Sequence, residues 1–142
     1  MSRYISKVDE KRIMEAIHEA EENTSGEIRV HIQPRCKGEP IEVAKKVFDR
    51  LKMTRTEERN GVLFFVAYKD KKFTIIGDKG IDDVVLAEFW ESIVKTVTDC
   101  FSEGRTADGL CDGIIAAGDA LKEYFPYQSD DVNELNDEIS YA

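Results

Sequence analysis

The stretch GVLFFVAY, residues 61–68, is apolar at every position. A strand with one wet face alternates in polarity, whereas an unbroken apolar run needs cover above and below. The run therefore predicts a central strand with a layer of structure on each side. It is far too short to span a bilayer, so no membrane insertion is expected. KDK (69–71) is a short polar turn, and KFTIIG (72–77) reads as the antiparallel hairpin partner.

Helical periodicity supplies the covering layers. Ile13, Ile17 and Ala20 share one face of a predicted first helix, capped at Asp9, running to Glu22 and stopped by Gly26. EIRVHIQ (27–33) alternates and predicts a half-buried edge strand, with His31 on its exposed face. Ala44, Val47, Phe48 and Leu51 form the stripe of a helix opening at Pro40. Leu86, Phe89, Ile93 and Val97 predict another helix, broken by SEGR (102–105). A last one, over 107–124, turns Leu110, Ile114, Ala117 and Leu121 inward. Its glycines, Gly109, Gly113 and Gly118, weaken an isolated helix and point to close packing.

The order helix, strand, helix, strand, strand, helix, helix predicts an α/β fold. The expected architecture is a three-layer α/β/α sandwich with a small mixed β-sheet and helices on both faces. A crossover through the second helix makes the first two strands parallel. The 142 residues suit one domain, placed at 1–126. Residues 127–142 carry Asp130, Asp131, Glu134, Asp137 and Glu138 with no base, and read as a flexible acidic tail.

Charge narrows the function classes. Twenty basic residues against 29 acidic ones leave a net charge of −9. That argues against nucleic acid and anionic membrane surfaces, and is compatible with cations. MSRYISKVDEKR has no apolar core of a secretory signal, and Cys36, Cys100 and Cys111 read as reduced thiols, so a cytoplasmic location is expected. His18 and His31 are too few for a histidine-based zinc site.

The hairpin has a geometric consequence. Counting outward from the turn at 69–71 brings Asp78 to Gly80 opposite Asn60 to Val62. If strand 27–33 is parallel to 61–68, its entry at Ser25-Gly26-Glu27 lies at the same end. Three segments then meet on one rim and bring Glu27, Glu57, Glu58, Asn60, Asp78, Asp82 and Asp83 together. This is an oxygen-rich set without soft ligands, the chemistry of calcium or, with fewer and tighter oxygens, magnesium. Clustered carboxylates repel, and a bound cation, Arg59 or Lys79 relieves that. The plainer alternative is that Asp82 or Asp83 caps the following helix. No EF-hand order, Walker A, G-x-G-x-x-G or G-x-S-x-G motif occurs. Cys100 and Arg105 bracket four residues, one short of a cysteine-phosphatase loop.

Asn60-Gly61-Val62 opening an apolar strand, the hairpin through Lys69–Lys71, Gly80-Ile81-Asp82 before a helix, and Phe101 to Gly109 before a glycine-bearing helix occur in that order. Over roughly residues 5–125 the chain thereby resembles the TPM-domain family, named for thylakoid lumen, photosystem II repair and nematode receptor-modulating members. The resemblance implies an α/β/α sandwich with a divalent-cation site at Asp78, Asp82, Asp83 and Asn60. Gly80 and Ile81 fit the Gly-Leu of the family's Gly-Tyr-Gly-Leu-Glu run, and Asp82 fits its acid. Asp78-Lys79 stands in place of the tyrosine, with one extra residue. Some members bind calcium at rim loops, others act through protein partners, and a plant member is described as an acid phosphatase. The expectation is a calcium-binding domain serving protein interaction or regulation, with Asp78, Asp82, Asp83, Asn60, Glu27 and Glu58 as ligands. The alternative is a metal-dependent acid phosphatase, in which a metal-activated water attacks and Arg59 or Lys79 steadies the phosphoryl oxygens.

Overall fold

The computed structural model describes residues 5–56, 58–85, 87–127 and 139–142. Glu57, Leu86 and the tail acids Asp130, Asp131, Glu134, Asp137 and Glu138 lie outside the described residues.

The chain runs α1 (Lys7–Glu21), β1 (Glu27–Gln33), α2 (Pro40–Arg50), β2 (Gly61–Ala67), β3 (Lys72–Gly77), α3 (Lys79–Asp82), α4 (Glu91–Ser102), α5 (Thr106–Leu121) and β4 (Ser140–Tyr141). Short 3-10 turns at Met53–Arg55 and Ala87–Trp90 precede β2 and α4. The strands form one mixed sheet in the order β3-β2-β1-β4. β1 is parallel to β2 and to β4, and β2 is antiparallel to β3. The expected α/β/α sandwich is what the chain adopts.

β2 is buried at all seven positions, and its side chains divide between two cores. Val62, Phe64 and Val66 join Ile28, Val30 and Ile32 beneath α1, α4 and α5, around Ile13, Ile17, Val97, Leu110, Ile114 and Leu121. Leu63, Phe65 and Ala67 face α2, against Ala44, Val47, Phe48 and Met53. Each large side chain so buried contributes roughly 1.5–3 kcal/mol of transfer free energy.

Several local expectations are corrected. Ser6, not Asp9, caps α1, its hydroxyl accepting from the Asp9 N–H. The helix expected after residue 83 is a 3-10 turn followed by α4, and a separate short helix, α3, precedes it within GDKGIDD. β1 is not a half-buried edge strand: β4 flanks it, and His31 is only 1% exposed. The His31 ring stacks on Phe65, with Nδ1 2.8 Å from the Ser140 hydroxyl and Nε2 3.0 Å from Gln33 Oε1. β4 falls in the segment expected to be flexible. Residues 140 and 141 nevertheless pair with His31 and Ile32, and the Tyr141 hydroxyl donates to Glu10. Alternation could not reveal this, because the cover over His31 comes from more than 100 residues away in sequence. All three cysteines are free thiols.

Helix α5 crosses α1 at Gly118, where a Cβ would sit 2.7 Å from the Ala20 Cβ and 2.9 Å from its Cα. Backbone cannot yield as a side-chain tip does, so the contact demands glycine. Gly118→Ala is expected to cost about 1–3 kcal/mol in urea unfolding, the usual range for overpacking. An unchanged midpoint would mean that the two helices slide apart freely.

His31 supplies a pH test. Burial, the dominant cause, together with Arg50 and Arg29, holds its pKa below the ordinary 6.5, partly opposed by the Gln33 bond. The unfolded chain therefore takes up the proton first as pH falls. The contribution of neutral His31 is intact above about pH 6.5 and is lost as pH drops toward the lowered folded value. Between pH 8 and 5, wild type should lose stability relative to His31→Gln. Parallel pH profiles would rule this out.

Candidate functional site

The rim lies where β1 and β2 begin and β3 ends. Glu27 pairs with Gly61, and Val62 with Gly77, so the three segments meet there as the hairpin count requires. Backbone hydrogen bonds join them: the Asp78 N–H donates to the Gly61 carbonyl at 2.9 Å, and the Glu27 N–H to the Asn60 carbonyl at 3.3 Å. The Gly80 N–H reaches the Arg59 carbonyl at 2.8 Å. A Cβ on Gly80 would lie 2.1 Å from the Glu58 carbonyl oxygen and 2.7 Å from that of Arg59. Only glycine lets α3 approach the 58–60 turn this closely.

Asp78 is the hub. It is 6% exposed and caps α3, its Oδ1 accepting from the Lys79 N–H at 2.8 Å. Asp82 and Asp83 sit at the other end of that short helix, and α4, the helix they were expected to cap, begins after Trp90 with no side-chain cap. Arg59 grips the Asp78 carboxylate with two bonds, Nε to Oδ2 at 2.7 Å and a terminal nitrogen to Oδ1 at 2.9 Å. This fork satisfies both oxygens and keeps the Arg59 guanidinium more firmly protonated than usual. Arg59 takes a left-handed backbone, φ 52°, a conformation that costs a non-glycine residue energy unless its surroundings enforce it.

The predicted ligands separate into groups. Asp78, Asp82 and Asp83 line one cleft of about 630 Å³ with Lys45, Asp49, Arg59, Lys79 and Trp90. Although Asp82 lies on the exposed side of α3, partial burial of its carboxyl raises its pKa. Asp78 and then Asp83 push the same way, against Lys45. Glu58 and Asn60 form a second group with Ser25. The Ser25 hydroxyl donates to Glu58 Oε2 at 2.9 Å, and Asn60 Nδ2 lies 3.4 Å from the Ser25 hydroxyl and 3.3 Å from Glu58 Oε2. Asn60 is 1% exposed, and among the described residues its Oδ1 has no hydrogen-bond donor. Glu27 is buried at the foot of β1. Among the described residues, no three His, Cys, Asp or Glu side chains are grouped as ligands of one ion.

Sequence reasoning missed the wall contributed by α2. Lys45 and Asp49 enter the cleft from a helix more than 25 residues upstream of Asp78. They stand four apart on its polar flank, a spacing shared with any solvated helix face, so no signal in the chain distinguished them.

In kind, these residues fit a hard cation: the donors are oxygens, and a buried amide oxygen without a donor is costly to leave unmet. They do not build a closed cage, because Asp78 is engaged by Arg59. Among the described residues, no helix is long and apolar enough to cross a membrane.

Comparison with known proteins agrees with this architecture. No curated protein matches the chain. The NMR structure of the BA42 protein from the psychrophilic bacterium Bizionia argentinensis is similar at a TM-score of 0.94 and 44% identity, covering 100% of this chain and 98% of that one. The N-terminal domain of the cg2496 protein from Corynebacterium glutamicum shares the fold at a TM-score of 0.65 and 14% identity, over 98% of this chain and 80% of that one. The N-terminal domain of a P. gingivalis protein does so at 0.68 and 17%, over 87% and 82%. The model of the TPM domain matches residues 1–120. With the parallel β1–β2 pair, the β2–β3 hairpin and the glycine-tight turn at 80 in place, the chain belongs to the TPM domain family.

Proposed function

We propose that this domain binds a divalent cation, calcium in preference to magnesium, at its rim, and that the rim serves protein interaction or regulation. The observation that carries the reading is the meeting of Ser25–Glu27, Glu58–Asn60 and Asp78–Asp83 at one end of the sheet, with the buried Asn60 Oδ1 lacking a donor among the described residues. Asp78, Asp82 and Asp83 would supply carboxylate oxygens from the cleft. Glu58 and Asn60 would supply theirs from the neighbouring turn, with Glu27 behind them. Calcium accepts such a mixture of carboxylate, amide and backbone oxygens in irregular geometry, whereas magnesium demands a tight octahedron. With Asp78 held by Arg59, the affinity belongs in the weak range, roughly 10⁻⁴–10⁻³ M. The free thiols suit a reducing compartment, in keeping with a cytoplasmic location.

A second reading, hydrolysis of a phosphate monoester, is favoured by one observation. Lys45, Arg59 and Lys79 share the cleft with Asp82 and Asp83. The three cations could hold phosphoryl oxygens, and Asp82, whose carboxyl binds its proton more tightly than usual, could exchange a proton with a water or leaving group. A bound metal would supply Lewis acidity to that chemistry.

Trp90 lines the cleft and is the only tryptophan, so its fluorescence reads the site directly. Millimolar calcium is expected to change that signal and raise the melting temperature. Selective binding to the folded state contributes about 0.4–1.4 kcal/mol at 1 mM calcium for a Kd of about 10⁻³–10⁻⁴ M. The Asp78→Ala/Asp82→Ala double variant should abolish both responses. Flat titrations of the wild type would remove the cation reading.

Hydrolysis is assayed separately with p-nitrophenyl phosphate. Metal-dependent turnover lost in the same double variant, and reduced at least tenfold in Lys79→Ala, would support the second reading. Turnover that survives the double variant would assign the activity elsewhere.

A further inference from the structure

Arg59 does more than line the cleft. Its guanidinium makes two bonds to a carboxylate that is 94% removed from solvent, while its own side chain remains 45% exposed. The charge at one end of the pair is thus fixed in the protein, and the other end is free to swing into water. The backbone at residue 59 is fixed without the side chain. Arg59 is one of three non-glycine residues with positive φ among the described residues, and its position is set by its N–H to the Thr56 carbonyl and by Gly80 on its own carbonyl. Those bonds involve backbone atoms alone, so none of them requires the side chain to hold Asp78.

We propose that Arg59 is a built-in counter-cation that occupies Asp78 when no metal is bound and must withdraw for a divalent cation to use that carboxylate. This rests on the cation reading above and adds a determinant of affinity to it. Both oxygens of Asp78 already accept bonds from Arg59, and Oδ1 also accepts from the Lys79 N–H, so an ion on that carboxylate competes with the guanidinium for the same lone pairs. Arg59 thereby stabilises the apo rim and weakens the bound one. A released state populated in about one molecule in ten lowers the apparent affinity about tenfold.

Calcium chloride titrations of wild type, Arg59→Gly and Arg59→Lys decide it, read by Trp90 fluorescence and by the calcium-dependent rise in melting temperature. Glycine suits the left-handed backbone at residue 59, so this variant deletes the guanidinium while relieving the local conformational cost. Arg59→Gly should bind calcium about tenfold more tightly and show a larger calcium-induced rise in melting temperature from a lower starting point. Arg59→Lys, a point charge without the fork, should fall between. Equal or weaker affinity in Arg59→Gly, with wild type still binding, overturns the competition and leaves the cation reading standing. No response in any of the three proteins overturns both. If Arg59→Gly fails to fold, the lysine variant decides: tighter binding than wild type upholds the competition, and unchanged or weaker binding ends it.

Discussion

The structure is organised by the double-sided burial of β2. Its seven residues admit no water on either face, so α1, α4 and α5 must cover one side and α2 the other. From that requirement follow the three layers, the central place of β2 beside β1, and the relegation of β3 to an edge. A strand buried in this way also needs every backbone polar group paired, which β1 and β3 supply from either side.

Covering both faces forces the chain to cross the sheet ends repeatedly, and the polar turns collect there. At the rim holding Asn60 and Asp78, the separation of elements is set by backbone contacts. Gly80 lies so near the Glu58 and Arg59 carbonyls that α3 and the 58–60 turn form one unit. This explains how a four-residue helix persists: Asp78 caps it, Arg59 neutralises the cap, and Ile81 is fully buried beneath it. The electrostatic cost of packing Asp82 and Asp83 beside Asp78 is borne at the lip of the cleft, where water and Lys45 moderate it.

The likeness to the BA42 protein extends over the whole chain, whereas the two more distant domains share the architecture at 14% and 17% identity. Conservation of architecture at such distances fits a scaffold held by layer packing. Function on such a scaffold is argued from the side chains of a site and not from the fold itself.

The apolar run at 61–68, the helical stripes and the turn at 69–71 determined by themselves the order of elements from α1 to β3, the parallel β1–β2 and antiparallel β2–β3 pairings and the meeting of three loops on one rim. These are local properties, periodicity and turn length, whose consequences follow from backbone geometry. Tertiary structure alone decided what happens over long separations. It buried His31 under Ser140, placed Lys45 and Asp49 beside Asp78, made Asp78 the cap of α3, and left α4 without the aspartate cap expected from Asp82 or Asp83. It also divided six candidate oxygen ligands between a cleft, a neighbouring turn and the foot of β1, with Arg59 holding the central carboxylate. Composition counts charges without saying which of them meet. That Asp78 faces the Arg59 guanidinium follows the close backbone approach of α3 to the 58–60 turn at Gly80, which no one-dimensional pattern encodes.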